Sequence, residues 1–422
     1  MSAAIAEPSR AAGLQRLGSF APSAGRRYAK SRNFDFGPGR RANVSVLSPY
    51  VRHRLVLEQE LIEAALQHHS LAEADKFVQE VFWRTYFKGW LEQHPAVWRH
   101  YHDSIAGLVN TLEKDIELLD RYNTAIEGNT GIDCFDAWAR ELVTHGYLHN
   151  HARMWFASIW VFTLKLPWQL GADFFYRHLI DGDPASNTVS WRWVCGLHTR
   201  GKTYLARVSN IANYTDNRFR PDGQLATSAP PLQEAQKFPL QALPEAQVLP
   251  SDERFGLLVT EEDACPETLL GGRAPESVFG ALATRKRSPL PVGIPAYEFA
   301  HGAVTNAVER LQENLGVAGE LSTAEDWGEL LVQWASSNQL QMIVTAYAPV
   351  GPVAEVLLDA SRQLESNGVT LVQLRRPYDT LAWPHARRGY FKFRQQIPML
   401  LEQLGIKHSQ AGSARDALQE AS

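Results

Sequence analysis

The chain has 422 residues, 45% of them hydrophobic and 21% charged, which excludes collagenous, disordered and disulfide-scaffold proteins and predicts two or more globular domains. Its formal charge of −4 hides an asymmetry, because residues 1–220 carry 26 Lys/Arg and 22 Asp/Glu whereas the remaining residues carry 16 and 24. We therefore expect two domains of opposite charge balance. Residues 26–54, with eight basic side chains and one acidic side chain, predict a basic face on the first domain.

The three cysteines, Cys134, Cys195 and Cys265, are widely spaced and cannot by themselves form a structural zinc or iron–sulfur site, so we predict no metal. So few cysteines are typical of a reducing cytoplasm. No apolar run approaches the roughly 18 residues of a membrane span, and no signal-type hydrophobic core is present. These features predict a cytoplasmic protein, expected to be a monomer, with no membrane partner.

Taken in chain order, residues 1–13 are expected to form a mobile leader and residues 14–220 a helical domain. Apolar residues recur at three- and four-residue spacing from Leu55 to Trp193, and no strand-like alternation competes with this pattern. Residues 221–252 are rich in proline and small polar residues and predict a linker.

Residues 253–408 are predicted to form a smaller α/β domain, followed by a disordered tail at 409–422. The apolar, β-branched runs FGLLVT (255–260), MIVTAY (342–347) and VTLVQLRR (369–376) predict short strands. Helical patterns lie between or before these runs, and strand–helix–strand order predicts a parallel sheet.

Two segments of the helical domain begin the set of candidate functional residues. Ser48 starts a predicted helix as its cap; the alternative to an ordinary cap is a helix start whose exposed amides hold a pyrophosphate. In FVQEVFWRTYF (77–87), Glu80 and Trp83 share one helical face and Arg84 is placed to pair with Glu80. The alternative for that segment is a surface ion pair beside a core tryptophan.

Two further segments add polar and aromatic residues. HGYLHNHARMWFAS (145–158) places Asn150, Arg153 and Met154 on one helical stripe. Its three histidines lack an acid or cysteine to complete a metal site, so capping or solvated histidines are predicted. LIDGDPASNTVSWRW (179–193) is the most specific segment, because a cap-and-turn interpretation of its aspartates leaves the asparagine and the paired tryptophans unexplained.

In this order and spacing, the four segments resemble the flavin-binding helical domain of the DNA photolyase and cryptochrome family, over about residues 14–220. The resemblance implies FAD as cofactor, an Arg153–Asp181 ion pair beside its ring system, and Asn187 facing flavin N5. Val44 stands where the family usually has threonine, which removes one hydroxyl contact. The residues implied to surround FAD are Tyr28, Val44, Ser45, Val46, Leu47, Ser48, Phe77, Arg84, Arg153, Asp181, Gly182, Asp183 and Asn187.

A second set of residues resembles the substrate pocket of photolyases that split cyclobutane pyrimidine dimers. In these enzymes indoles stack against an extruded dimer, and a carboxyl and an amide bind its polar edge. Enzymes for the 6-4 photoproduct instead have histidines at the positions of Asn150 and Met154, so this chain resembles the dimer-splitting type. The matching residues here are Glu80, Trp83, Asn150, Met154 and Trp193.

The resemblance therefore implies light-dependent repair of such dimers in DNA. A cryptochrome-like photoreceptor without repair activity is the alternative, and a flavin oxidoreductase that works in the dark is a third. Trp191 and Trp168 match the inner two members of the family's electron-transfer chain. The outer tryptophan is missing, so photoreduction is expected to continue through Tyr122, Trp155 or Trp160, or to be slow.

Family members normally carry an α/β antenna domain before the helical domain, whereas here residues 253–408 follow it. We expect a short or rearranged member with a displaced antenna-type domain; an unrelated packing domain is the alternative. A second, antenna chromophore is neither predicted nor excluded. The acidic α/β domain is expected to face away from DNA, although residues 375–398 form a second basic, aromatic segment.

Overall fold

A computed structural model of the chain describes residues 7–407, so residues 1–6 of the expected leader and the expected tail at 409–422 lie outside the described residues. The rest of the leader expectation was wrong, because a helix already begins at Arg10. Ser9 caps this helix: its side chain accepts a hydrogen bond from the backbone amide three residues on, which satisfies one of the first-turn donors.

The described residues up to 220 fold into helices and connecting turns, which confirms the predicted helical unit. The longest helix of this unit, Leu71–Glu92, is capped reciprocally by Ser70 and Glu73, each side chain binding the other's backbone amide. The helices are α1 (Arg10–Phe20), α2 (Arg26–Ser31), α3 (Ser48–Arg52), α4 (Glu58–His68), α5 (Leu71–Glu92), α6 (Pro95–Leu112), α7 (Ile116–Ile126), α8 (Asp133–His145), α9 (Asn150–Ser158), α10 (Trp168–His178), α11 (Pro184–Val194) and α12 (Val208–Tyr214).

The second unit is built on parallel strands. They are β1 (Gly256–Thr260), β2 (Ser277–Ala281), β3 (Ala318–Ser322), β4 (Met342–Ala346) and β5 (Thr370–Leu374). All pair in parallel in the order β3-β2-β1-β4-β5, which confirms the predicted α/β fold and is the order of a doubly wound sheet. β1, β2 and β4 are buried throughout, as expected for parallel strands covered by helices on both faces.

Helices of the second unit cover the sheet and then extend beyond it. α13 (Ile294–Leu315) packs against β1, β2 and β3, whereas α15 (Pro352–Ser366) packs against β5. The short helices α16 (Pro377–Ala382) and α17 (Tyr390–Arg394) instead contact α5 of the helical unit. The helices are α13 (Ile294–Leu315), α14 (Trp327–Ser337), α15 (Pro352–Ser366), α16 (Pro377–Ala382), α17 (Tyr390–Arg394) and α18 (Ile397–Gln403).

The carboxyl edge of the sheet docks on the helical unit through buried charges. Glu262, just after β1, pairs with Arg52 at 2.6 Å and with Lys88 at 3.5 Å. Tyr347, just after β4, donates a hydrogen bond to Glu92 at 2.6 Å. Ligands of doubly wound sheets usually bind where the strand order reverses, between β1 and β4, and here the helical unit occupies that position.

An apolar core is also shared between the two units. Buried side chains of α1, α3, α4 and α5 belong to the same cluster as those of the sheet, α13 and α16 to α18. The remaining helices, from α6 to α11, contribute most of a second cluster within the helical unit. Secondary structure therefore changes near residue 253, but the core does not divide there.

The expected linker, residues 221–252, contains no helix or strand but is fixed to both units. Arg192 forms a two-pronged ion pair with Glu234, with distances of 2.7 and 2.6 Å. Arg375 donates to the carbonyl of Pro244 at 2.8 Å. None of the helices between residues 7 and 407 combines the length and the apolar character that a membrane crossing demands.

Candidate functional site

A cavity of about 650 Å³ lies between α2, α3, α5, α9 and α11. It collects the four segments of the sequence analysis, because residues spaced three and four apart on each helix face the same side. Every candidate residue except Trp168 lines it. They are Tyr28, Val44, Ser45, Val46, Leu47, Ser48, Phe77, Glu80, Trp83, Arg84, Asn150, Arg153, Met154, Asp181, Gly182, Asp183, Asn187, Trp191 and Trp193.

The expected ion pair between Arg153 and Asp181 is present. Arg153 donates from Nη2 to Oδ2 of Asp181 at 2.9 Å, and from Nε to the carbonyl of Leu148 at 2.8 Å, which fixes the guanidinium. The other carboxylate oxygen of Asp181, Oδ1, is buried and has no partner among the described residues. A buried acceptor without a donor is costly, so Oδ1 is suited to a donor on a bound ligand.

Asp183 lies in the densest group of charges at the cavity. It caps α11 by accepting from the Ser186 amide at 2.7 Å, and its Oδ2 pairs with Arg84 at 3.2 Å and Lys88 at 3.4 Å. Burial alone would raise the pKa of Asp183, but the cations Lys88, Arg84 and Arg52 hold it well below its ordinary value. Asp183 is therefore a permanent carboxylate that orients the start of α11.

The predicted pairing of Arg84 with Glu80 was wrong. Arg84 turns to Asp183, and Glu80 instead pairs with Arg32 of the loop after α2. The physical reason is burial: the carboxylate of Asp183 is almost fully buried and gains more from a cation than the partly exposed Glu80 does.

Asn187 and Ser186 provide polar groups without protein partners. Asn187 donates from Nδ2 to the carbonyl of Ala172 at 2.7 Å, so its Oδ1 is left as an acceptor for a donor in the cavity. The buried hydroxyl of Ser186 has no partner among the described residues. Both side chains line the cavity.

The turn from Val44 to Ser48 differs from the prediction in one respect. Ser48 is not the cap of α3 but its first residue, and no side chain caps this helix. Ser45 instead accepts a hydrogen bond from the Leu47 amide at 3.3 Å. Between them Val46 has a φ of 51°, a conformation that costs a β-branched residue on the order of 1–3 kcal/mol and is concentrated at functional sites.

The candidate substrate residues line the same cavity, but two are already engaged by the protein. Trp83 stacks on Tyr390 of α17, with ring centroids 3.4 Å apart and planes 12° apart. Tyr390 thus covers one face of Trp83, one of the two indoles that the resemblance assigns to stacking on the substrate. Glu80 is held by Arg32, whereas Asn150 is exposed.

The tryptophans implied in electron transfer have different surroundings. Trp191 is buried and contacts Phe175 edge-on at 5.1 Å and Trp160 edge-on at 6.4 Å. Trp168 lies outside the cavity lining and stacks on Tyr101 at 5.7 Å. Trp191 is thus the member of this pair that borders the cavity.

Comparison with known proteins agrees with this arrangement. Residues 77–249 match a family model described as the FAD binding domain of DNA photolyase. This part of the helical unit is similar to the FAD-binding domain of DNA photolyases. The cofactor of this photolyase-type domain is accordingly FAD.

The chain matches only part of the length of each relative. A deoxyribodipyrimidine photo-lyase of Neurospora crassa is 28% identical over 222 residues, which is 50% of this chain and 34% of that protein. One of Streptomyces griseus is 33% identical over 159 residues, 37% of this chain and 32% of that protein. The matched part thus spans about a third of these curated relatives. A class III photolyase structure from Agrobacterium tumefaciens has a TM-score of 0.41 and 24% identity, covering 49% of this chain and 43% of that one.

The cavity of the photolyase-type domain fits a cofactor with both donors and acceptors. The unpaired Asp181 Oδ1 accepts a donor, the Asn187 amide oxygen accepts a second, and the free Ser186 hydroxyl donates or accepts. Apolar side chains of Phe77 and Trp191 line the same space and suit an aromatic ring system.

Sequence reasoning missed three residues that shape this domain's site: Arg32, Lys88 and Tyr390. Arg32 belongs to the basic face and Tyr390 to the second basic, aromatic segment, so both lay in noted regions without an assigned role. Lys88 lies one helical turn beyond Arg84, and that spacing was a usable signal. Its burial, with a side chain 3% exposed, shows only in the fold.

Among the histidines of the third segment, His149 is a capping group, as predicted. His149 precedes α9, and its Nδ1 accepts from the His151 amide at 3.2 Å while Nε2 lies 3.1 Å from the Arg32 carbonyl. This pattern requires a neutral ring with the proton on Nε2. Within residues 7–407, no three His, Cys, Asp or Glu side chains are grouped as a metal site would require.

We expect His149 to make stability depend on pH. Burial, partly offset by the Asp35 carboxylate, lowers the pKa of His149 to about 4. The stabilisation is complete above the unfolded pKa of about 6.5 and is lost as pH falls toward 4, because the unfolded chain takes up the proton first. Between pH 7.5 and 5 the loss should be about 2 kcal/mol.

The measurement is the free energy of unfolding by urea across this pH range. His149→Asn keeps a capping acceptor but does not titrate, so the difference between wild type and variant isolates this residue from all other titrating groups. A difference that stays constant from pH 7.5 to 5 would contradict the assignment.

Proposed function

We propose that the protein repairs cyclobutane pyrimidine dimers in DNA in a light-dependent reaction, with electron transfer from photoexcited reduced FAD. The observation that carries this proposal is that the five dimer-type residues line the same cavity as the cofactor-type residues. These five residues are Glu80, Trp83, Asn150, Met154 and Trp193. Because the chain matches only part of its photolyase relatives, this activity is proposed from the site itself.

In the proposed reaction the chain binds a dimer flipped out of the duplex into the cavity. Trp193 and the free side of Trp83 stack on its rings, and Met154 fills the apolar space beside them. Asn150, which is exposed at the cavity, binds the imide edge. Glu80 binds the same polar edge, and Arg32 keeps its carboxylate in place.

Bound, reduced FAD would supply the electron for cleavage of the two bonds that join the pyrimidines, a reaction without net oxidation or reduction. The protein's part is to hold the dimer beside the donor, exclude water and stabilise the transient negative charge on the dimer, for which the polar groups Glu80 and Asn150 are placed.

The test is anaerobic illumination of the reduced protein with an oligonucleotide that contains one dimer. We expect loss of dimer in the light and none in the dark. Glu80→Gln should reduce the repair rate about 10- to 100-fold, since one charge-assisted hydrogen bond is lost. Glu73→Gln, on the same helix but outside the cavity and with the capping pattern retained, should repair at the wild-type rate. If illumination of the reduced protein causes no loss of dimer beyond that in the dark, the proposal is overturned.

A cryptochrome-like photoreceptor is the second candidate, and one observation favours it. Trp83 and Glu80 are already engaged by Tyr390 and Arg32, so two of the five substrate groups have partners within the protein. In that case light would still reduce bound FAD, but dimer-containing DNA would be left unchanged. The same illumination experiment, followed by absorption spectroscopy, separates the two functions.

A further inference from the structure

Residues 385–396, here called the C-terminal rim, leave the α/β unit and lie against α5 beside the cavity. Tyr390 stacks on Trp83, which lines the cavity, and its hydroxyl donates to the carbonyl of Gln79 at 2.9 Å. Phe393 is fully buried and contacts Phe82 at 6.1 Å between ring centroids. These two anchors fix the rim at the edge of the proposed substrate site.

The outer side of the rim carries positive charge without acids. Its sequence, HARRGYFKFRQQ, contains four Arg and Lys residues and no Asp or Glu. Arg394 pairs with Asp75 at 3.4 Å. Arg387, Arg388 and Lys392 are exposed and form no ion pair with any described residue.

An aromatic side chain projects from the same surface. Phe391 is 78% exposed, although two other aromatic residues of α17, Tyr390 and Phe393, are buried. The helical turn explains this, because Tyr390 and Phe393 share one face and Phe391 and Lys392 point the other way. An exposed phenylalanine among unpaired cations is the composition of a surface that binds both phosphates and bases.

We propose that the C-terminal rim is a DNA-contacting surface that flanks the cavity, an inference that rests on the proposed function. Arg387, Arg388 and Lys392 bind phosphates next to the flipped dimer. Phe391 stacks on a neighbouring base or fills the gap that the dimer leaves in the duplex. The α/β unit, acidic overall, thereby completes the substrate site of the helical unit through one basic segment.

The experiment measures DNA binding in the dark by fluorescence anisotropy, with a dimer-containing duplex, at a series of salt concentrations. The variant Arg388→Ala/Lys392→Ala removes the two cations placed two residues on either side of Tyr390. Loss of two phosphate contacts should reduce the slope of log affinity against log salt by about 2. Phe391→Ala should weaken binding about tenfold without changing the salt slope, and Phe391→Trp should restore it.

A matched control removes the same charge far from the rim. Arg254 precedes β1 and Arg362 lies in the last turns of α15, both at the amino edge of the sheet, and their side chains are 66% and 70% exposed. Arg254→Ala/Arg362→Ala should bind DNA with the wild-type slope. FAD absorbance of each purified variant checks that the fold is retained.

The outcomes separate this inference from the proposed function. If the wild-type protein binds no dimer-containing DNA, the proposed repair function is overturned. If the wild type binds and repairs but the rim variant has an unchanged salt slope, only the assignment of the rim is overturned. A reduced slope in the rim variant together with an unchanged slope in the control supports it.

Discussion

Asp183→Asn is expected to lower the free energy of unfolding by about 3–5 kcal/mol and to leave the purified protein without FAD. Asp183 is 1% exposed and pairs with Arg84 and Lys88. Neutralising it strands buried cations, and the remaining acids beside them are already shared: Glu262 pairs with Arg52 and Lys88, and Glu58 lies between Arg54 and Arg84. Removing one partner of a buried pair costs far more than the pair itself contributes.

The effect should extend to the cofactor because Asp183 also holds the start of α11. Its Oδ1 accepts from the Ser186 amide at 2.7 Å, and Asn187, the next residue, offers its amide oxygen to the cavity. An asparagine keeps an acceptor at the cap but not the charge that attracts Arg84 and Lys88. The position of this turn, and with it the cofactor contacts, is therefore expected to loosen.

The measurements are urea unfolding and the ratio of flavin to protein absorbance after purification. Asp173→Asn is the matched control: Asp173 is equally buried and pairs with Arg177 at 2.8 Å, but does not line the cavity. Burial raises the pKa of Asp173 whereas cations lower that of Asp183, so the neutral isostere should cost less at 173 and should retain FAD. Equal stability and equal FAD content in both variants would refute this account of Asp183.

The sequence was sufficient to predict the groups that each helix brings to the cavity. Glu80, Trp83 and Arg84 lie within two turns of α5, and Asn150, Arg153 and Met154 within two turns of α9, so their relative positions follow from helical spacing alone. Once the helices pack, residues on the inner faces have to meet. Local sequence patterns were therefore sufficient to predict which side chains line the site.

Pairings across long sequence separations were not predictable in the same way. Tyr390 stacks on Trp83 although the two are 307 residues apart in the sequence, and Glu80 pairs with Arg32 rather than with Arg84 on its own helix. These choices depend on which carboxylate is more deeply buried and on how the second unit docks, and neither has a periodic signal. Among the elements, β2 and β3 were missed. SVFGA of β2 has a single β-branched residue, and AGELS of β3 is a partly exposed edge strand with none.

Trp191→Phe is expected to abolish the light-driven reduction of bound oxidised FAD while repair by chemically reduced protein continues. Trp191 lines the cavity and is 2% exposed, so it is the indole placed to pass an electron inward. Gly171 allows this position: a Cβ there would lie 2.4 Å from the Trp191 ring and 2.9 Å from the Trp160 ring. Any larger residue at position 171 would clash with both indoles, so Gly171 is what allows Trp191 and Trp160 to come into contact.

Two routes lead outward from Trp191, and matched variants distinguish them. The family pattern runs through Trp168, which stacks on Tyr101, whereas ring contacts run from Trp191 to Trp160 at 6.4 Å and on to Tyr122 at 6.2 Å. Because Trp160 lies in ring contact with both Trp191 and Tyr122, we expect Trp160→Phe to slow photoreduction even where Trp168 is intact.

The readout is the decay of the oxidised flavin absorption under blue light with an external reductant, followed by dimer repair after chemical reduction. Trp138→Phe is the control, since Trp138 is a fully buried indole that does not line the cavity and serves packing with Trp155. It should lose some stability and keep normal photoreduction. If Trp191→Phe and Trp138→Phe lose photoreduction and repair equally, Trp191 has only a structural role, and the electron must enter the cavity by a path that avoids it.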